Sequence, residues 1–319
     1  METLIIGAGA MGGLFATLLA PLVPVSLVTT NAEHAETINR TGLTLTGMDG
    51  QVRRTSARAL TDPGQYGRRA DLILLCTKAR STAQASEIAR QLLAGDGVVL
   101  TLQNGLGNLE LIQAAVGTPR AAAGITAQAA TLLGPGQIRH AGSGPTVLAA
   151  GTGQEKKIAA IAALFNQAEI STSVTQDVDA LLWSKLLVNV GINALTAVLR
   201  VPNGTLAEIP ECESLMAQAV AEAETVARAL GVSLPGDAQL ERVKKVCAMT
   251  SGNQSSMLQD IMNGRPTEID VINGAVVRKG AEHGIPTPVN TLLTELIKAL
   301  EATRSARIAP LSCKKIPPA

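Results

Sequence analysis

Two patterns of apolar and polar positions divide the chain. Through about residue 174, short apolar runs recur between helical stretches: Leu4-Ile5-Ile6, Val25 to Val28, Leu72 to Cys76 and Val98 to Leu102. Uninterrupted runs of this length, bounded by Gly, read as strands buried on both faces, as in a parallel sheet. Between them, Met11 to Ala20, Ser81 to Leu93 and a stretch from near Gly107 read as helices. Residues 42–46 and 51–55 flank Gly47-Met-Asp-Gly as a hairpin insertion, and Ala121 to Ala150 reads as short sheet strands. From about Thr175 the period becomes helical: Gln176 to Leu199, Glu211 to Leu230, Asp237 to Thr250, Thr267 to Gly284 and Val289 to Thr303. The expected architecture is α/β, with an N-terminal Rossmann-type doubly wound sheet over 1–175 followed by an all-α domain over 176–319.

No charge occurs from Thr3 to Ala32. A signal peptide would carry a basic start, whereas Glu2 stands here, and six Gly and Pro residues between Gly7 and Pro24 break any membrane helix. The same stretch fits a strand, turn, helix, strand unit. Its turn, Gly7-Ala8-Gly9-Ala10-Met11-Gly12, is a G-x-G-x-x-G sequence following a buried strand and opening a helix. Gly7 would permit the tight turn, Gly9 the approach of a pyrophosphate, and Gly12 close helix packing; the helix N-terminus then offers N–H groups to the phosphates. The expected ligand is a dinucleotide.

Which dinucleotide depends on the end of the second strand, where an acid favours NAD and an arginine NADP. Thr29-Thr30-Asn31 is neither, so Thr30 and Asn31 could serve either species. His34 is the nearest cation in sequence and only a partial one. Lys78, after the next strand, either reaches this crevice or is a solvated lysine at a helix start.

Composition narrows the partners. The 27 Lys and Arg nearly balance 26 Asp and Glu, with no basic tract to suggest nucleic acid or an anionic membrane. Four scattered cysteines, Cys76, Cys212, Cys247 and Cys313, form no C-x-x-C pair, a usage that fits reduced core thiols in the cytoplasm and no metal site. His140 and His283 have no evident chemical partner and read as structural. The tail from Arg304 reads as a loose end.

The most informative helical stretch is WSKLLVNVGINALT. Lys185, Asn189, Asn193 and Thr196 fall within about 80° of one another on a helix whose remaining surface is apolar. A polar stripe on a helix buried nearly all round must meet partners, water or a ligand. The alternative is a stripe facing solvent. A desolvated lysine is poised for proton transfer, and two carboxamides one and two turns on can bind substrate oxygens. A second polar cluster runs from Asn253 through Ser255, Ser256 and Asp260 to Arg265-Pro266-Thr267-Glu268-Ile269-Asp270 and Asn273. Pro266 and Glu268 suit the first turn of a helix, which by itself accounts for Glu268; Asp270 or Asn273 could equally be caps or surface residues.

Taken together, GAGAMGG, Thr77-Lys78, Gln103-Asn104-Gly105, WSKLLVNVGINALTA, SSMLQD and GRPTEIDVINGAVV resemble the ketopantoate reductases (2-dehydropantoate 2-reductases) in order and spacing along nearly the whole chain. The resemblance implies a site in the cleft between the two domains and hydride transfer from NADPH to the ketone of ketopantoate, giving (R)-pantoate on the route to coenzyme A. By position, Lys185 would be the general acid and Glu268 its partner. Asn104 would lie between nicotinamide and substrate, Asn189 and Asn193 would hold substrate oxygens, and Ser256 with Asn253 would bind the carboxylate. Gly7 to Gly12, Thr30, Asn31, Lys78 and Asn104 would contact the cofactor. One departure stands out: Thr30 or Asn31 occupies the place where NADPH-using members carry an arginine, so NADH stays open. A related 2-oxoacid reductase or D-2-hydroxyacid dehydrogenase is the nearest rival, and a nucleotide-sensing regulatory protein the rival from another class. The implied partner is a small 2-oxoacid, and association into a homodimer is left open.

Overall fold

In a computed structural model, residues 1–236 and 238–306 are described. They divide into two compact units: Met1–Leu187 with a returning segment from Thr225, and Val188–Glu224 with the chain from Ala238 on.

The first unit is built on the expected apolar runs. β1 (Thr3–Ile6), α1 (Ala10–Leu19), β2 (Val25–Val28) and α2 (Ala32–Thr41) open the chain. β3 (Leu43–Thr46) and β4 (Val52–Thr55) pair antiparallel as the inserted hairpin, and β5 (Arg58–Leu60) returns beside β2. β6 (Ala70–Leu75), α3 (Thr82–Leu92), β7 (Leu93–Thr101) and α4 (Asn108–Val116) follow. Cys76 therefore lies just beyond its strand. β8 (Ala121–Thr126), β9 (Ala129–Gly134), β10 (Gln137–Gly142) and β11 (Thr146–Ala149) are the short strands expected over 121–150. α5 (Glu155–Gln167) and β12 (Thr172–Thr175) complete the unit's regular elements before the long helix.

Eight strands form one sheet in the order β12-β11-β8-β7-β6-β1-β2-β5, parallel throughout except between β8 and β11. The order in which strands are added reverses at β1, which pairs with β2 on one side and β6 on the other, so a crevice opens at their carboxyl ends. Alternate strand residues serve opposite layers. Ile5, Leu27, Leu72, Leu74 and Leu100 pack with α1, α2 and α5, while Leu4, Ile6, Val28, Ile73, Leu75 and Val99 pack with α3 and α4. A second sheet, β4-β3-β10-β9, covers α1. A Cβ at Gly13 would come within 2.7 Å of Ile138 on β10, which gives the second glycine of the Gly12-Gly13 pair a packing role.

Helices alone follow among the described residues. They are α6 (Val178–Leu199), α7 (Thr205–Glu208), α8 (Pro210–Ala229), α9 (Gln239–Met249), α10 (Ser256–Met262), α11 (Asn273–Glu282) and α12 (Pro288–Ala302). The expected start of α9 at Asp237 lies outside the described residues, as does the tail from residue 307 with Cys313. Arg304 is not loose: it sits in a 3-10 turn and donates to the Gly264 carbonyl at 2.7 Å. α6 is long and apolar enough to span a membrane, yet 67% of that apolar window is buried within the protein.

The helix expected from Thr267 is also corrected. Pro266 precedes no helix, and Glu268 caps a 3-10 turn, Ile269–Val271. Ile272, at φ −103° and ψ −99°, then redirects the chain into α11.

Candidate active site

The glycine loop can be tested position by position. Gly7 has φ +102°, and a Cβ there would lie 2.8 Å from the Cys76 carbonyl carbon and the Thr77 nitrogen. A Cβ on Gly12 would run into the Gly7 carbonyl oxygen. On Gly9 it would meet nothing within 4 Å. Two glycines are thus required by the protein's own packing, and the third faces open space in front of α1, whose N-terminus has no side-chain cap. Ala10 and Met11 open that helix. A cradle lined by backbone donors and free of side chains fits a pyrophosphate.

Beyond β2, Thr30 and Asn31 are exposed. Asn31 caps α2, its Oδ1 accepting from the His34 N–H at 2.9 Å, while the Asn31 N–H is held by Thr29 Oγ1 at 3.2 Å. His34 itself is 3% exposed. Its Nδ1 accepts from the Gly136 N–H at 3.0 Å, so its Nε2 carries the hydrogen donated to the Ala8 carbonyl at 2.7 Å. Both ring nitrogens are therefore tied inside the fold rather than offered at the crevice rim. Lys78 is exposed, immediately before a 3-10 turn, Ala79–Ser81.

A side-chain network joins the loops after β6 and β7. Gln103 Nε2 donates to the Thr77 carbonyl at 2.8 Å and to Thr82 Oγ1 at 2.9 Å, and its Oε1 accepts from Thr101 Oγ1 at 2.8 Å. Thr82 Oγ1 donates in turn to Asn108 Oδ1 at 2.8 Å, and Asn108 Nδ2 donates to the Asn104 carbonyl at 3.0 Å. Half-buried Asn104 is held through its backbone carbonyl by Asn108 at the start of α4, which Thr82 at the start of α3 holds in turn. Sequence reasoning missed this role for Gln103, Thr82 and Asn108, although Gln103 stood inside a motif.

Lys185 is half-buried in the first unit, where its Nζ donates to the Thr126 carbonyl at 2.9 Å. The Thr126 hydroxyl lies 2.8 Å from that of Thr146 and accepts from the Gln128 N–H. Gln128 Oε1 meets His140 Nε2 at 2.8 Å, so His140 has a partner after all. His283 Nδ1 pairs with the Lys279 carbonyl at 3.1 Å. Neither histidine joins the candidate site.

α6 continues into the second unit with Asn189 half-buried, Asn193 6% exposed and Thr196 fully buried. The solvent-facing alternative fails for the last two. Thr196 is structural, its hydroxyl donating to Ser255 Oγ at 2.7 Å. Among the described residues, the carboxamides of Asn189 and Asn193 have no hydrogen-bond partner, unlike the network around Gln103. Ser255 caps α10, accepting from the Leu258 N–H at 3.1 Å, which leaves exposed Ser256 in the first turn. Exposed Asn253 sits in a loop tied down by two backbone bonds, Asn203 N–H to the Asn253 carbonyl and Gly204 N–H to the Ser251 carbonyl. Glu268 is half-buried.

Asn273 belongs neither to a cap nor to the surface. It is fully buried and donates to Asn290 Oδ1 at 3.0 Å and to the Val190 carbonyl. Burial pushes the Cys76 thiol up to about 12 and the Cys247 thiol up to about 11, so both stay protonated and inert at neutral pH. Among the described residues, no group of three or more His, Cys, Asp or Glu side chains could hold a metal ion.

A Rossmann-type sheet with a glycine turn at its switch point, followed by a helical C-terminal region, is an architecture of dinucleotide-dependent oxidoreductases. Sequence comparison narrows it. Residues 3–153 match the family described as ketopantoate reductase PanE/ApbA, and residues 177–301 match its C-terminal part. The chain belongs to the ketopantoate reductase family and is an oxidoreductase acting on CH–OH groups. It is 37% identical over 300 residues to the 2-dehydropantoate 2-reductase of Halobacterium salinarum, covering 93% of this chain and 98% of the relative. It is 35% identical to the enzyme of that name from Pyrococcus abyssi, over 95% of this chain and 98% of the relative. Among solved structures, the PanE/ApbA family ketopantoate reductase from Ralstonia eutropha JMP134 superposes with a TM-score of 0.87 at 33% identity, covering 96% of this chain and all of that one. D-mandelate dehydrogenase in a ternary structure with NADH and anilino(oxo)acetate gives 0.90 at 31% identity, with the same coverage.

Proposed function

We propose that this chain reduces 2-dehydropantoate (ketopantoate) to (R)-pantoate with NADPH, as a cytoplasmic enzyme of pantothenate and coenzyme A biosynthesis. In this reading residues 1–175 carry the cofactor and 176–319 the substrate. The observation that supports it is the face of α6: Lys185 stands one turn before Asn189 and two before Asn193, a residue 6% exposed whose carboxamide has no hydrogen-bond partner among the described residues. An amide with no protein partner keeps its donors and acceptor for a ligand, and a substrate oxygen would pair with them. The bound cofactor supplies a hydride to C2 of the 2-oxoacid. Lys185 donates its proton to the ketone oxygen as negative charge develops there, where a preorganised donor contributes most. Glu268 is the acid assigned to the reaction alongside Lys185, Asn189 and Asn193 orient substrate oxygens, and Ser256 with Asn253 receives the carboxylate. Asn104, fixed by Asn108, lies where nicotinamide and substrate meet. Gly7 to Gly12 cradle the pyrophosphate, while Thr30, Asn31 and Lys78 receive the adenosine end.

A second reading, a 2-oxoacid reductase using NADH, is favoured by one feature. His34 is turned inward, and Thr29-Thr30-Asn31 rather than an arginine directly follow β2, so Lys78 stands as the cation assigned to a 2′-phosphate. Binding of NADH by the similar D-mandelate dehydrogenase points the same way.

Initial rates with ketopantoate, measured in parallel with NADPH and NADH, separate these readings. A preference for NADPH supports the first, and rapid NADH turnover moves the assignment to the second. Lys185→Ala is expected to lower kcat by about 10²–10⁴ with cofactor affinity retained. Wild-type turnover of other 2-oxoacids but not ketopantoate would sink the substrate assignment, and an unchanged Lys185→Ala rate would sink the role of Lys185.

A further inference from the structure

We infer that His34 is a positioning residue for the dinucleotide: by holding the Ala8 carbonyl it aims the Gly9 N–H at the pyrophosphate. The inference deepens the cofactor part of the reading above and rests on it.

The geometry begins with one peptide group. No peptide bond among the described residues is cis, and in a trans peptide the carbonyl and the following N–H point in opposite directions. Fixing the Ala8 C=O therefore fixes the direction of the Gly9 N–H. His34 Nε2 fixes that carbonyl at 2.7 Å from a ring that is 3% exposed and held on its other side by Gly136. The N–H at the other end of the same peptide belongs to Gly9, where a Cβ would meet nothing within 4 Å. The carbonyl end of the peptide is thus clamped from inside the fold, and the residue that carries its N–H is the glycine of the loop with open space at its Cβ position.

A glycine-rich loop without such a clamp would sample several peptide orientations, because glycine tolerates both signs of φ. Gly9 has φ −71° and ψ −160°, and each flip of its preceding peptide would turn a donor away from the anion and a carbonyl oxygen towards it. The His34 ring is well suited to prevent this. It accepts from a backbone N–H on the β9–β10 turn and donates to the loop, so the second sheet, through Gly136, braces the cofactor cradle. The residue acts through the loop and needs no contact with the cofactor.

The test uses the full-length protein and two variants. His34→Asn keeps a polar side chain at this helical position and is too short to span from Gly136 to Ala8. His34→Gln retains an acceptor and a donor on a longer arm. The inference expects His34→Asn to raise the Kd for NADPH or NADH and for ADP-ribose, which lacks the nicotinamide, by about tenfold, one buried hydrogen bond to the loop being lost. kcat at saturating cofactor and the KM for the 2-oxoacid should stay within about twofold, and His34→Gln should recover most of the affinity. Equal affinity of wild type and His34→Asn overturns the role of His34 alone, as does a fall in kcat with no change in cofactor affinity. Failure of the wild type to bind any dinucleotide overturns the cofactor reading with it. If His34→Asn does not fold, nitrogen NMR of imidazole-labelled wild type decides: a Nε2–H tautomer whose signal moves on adding ADP-ribose supports the inference, and a Nδ1–H tautomer or an unmoved signal overturns it.

Discussion

A glycine's role is decided by what surrounds the hydrogen that takes the place of a side chain. Gly9 and Gly12 belong to one six-residue motif, yet a methyl group on the first would enter open space and on the second would run into the Gly7 carbonyl oxygen. Gly9→Ala should therefore fold with an unchanged melting temperature and raise the cofactor Kd about tenfold, because the methyl occupies the approach of the phosphate. Gly12→Ala should lower stability by about 3 kcal/mol by forcing α1 away from β1. Thermal melts paired with cofactor titrations check both, and a destabilised Gly9→Ala would contradict the open cradle. Asn193 and Asn273 make the same point for amides. Both are buried residues on helices, but Asn273 Nδ2 donates to Asn290 and the Val190 carbonyl while its Oδ1 accepts nothing among the described residues, whereas the Asn193 carboxamide has no partner there at all. Residue type and helical spacing put both on the list of candidates, and only the surrounding groups separate the structural amide from the one suited to a ligand.

At the level of elements, helix ends in the second unit are held by side chains from other helices. Glu222 on α8 accepts from the N–H groups of Val289 and Asn290 at 2.8 and 2.9 Å and from Asn290 Nδ2 at 2.7 Å, closing the N-terminus of α12. Glu222→Ala leaves these donors without their acceptor and is expected to cost about 2 kcal/mol in denaturant unfolding, with Glu222→Gln costing less. A loss under about 0.5 kcal/mol would show that solvent replaces the carboxylate. The lengths of α6, α8 and α12 were legible in sequence to within a residue or two, since each carries a sustained apolar period. The stretch from Thr267 was not. Its pattern reads as one helix, and the break at Ile272 arises because Asn273 is drawn into the core by Asn290, seventeen residues on.

Across the whole molecule, the main sheet has two buried faces. Leu74 and Leu75 are adjacent, fully buried, and packed into opposite layers. Leu74→Ala and Leu75→Ala should each cost about 2–5 kcal/mol, where a sheet with one wet face would feel only one of them. Chemical denaturation of the two variants checks this, and a difference exceeding about 3 kcal/mol would mean that one layer collapses around its cavity. The sequence by itself determined the strand and helix alternation, the helical second half, the glycine cradle and the polar face of α6, because all four follow from local period and residue type. Tertiary structure alone decided that His34 faces inward to Ala8 and Gly136, that Asn108 holds Asn104, that Lys185 meets the Thr126 carbonyl, and that Asn193 lacks a partner among the described residues. Those pairings join residues 4 to 102 positions apart. A hydrogen bond depends on distance and direction in space, and neither is carried by the order of residues along the chain.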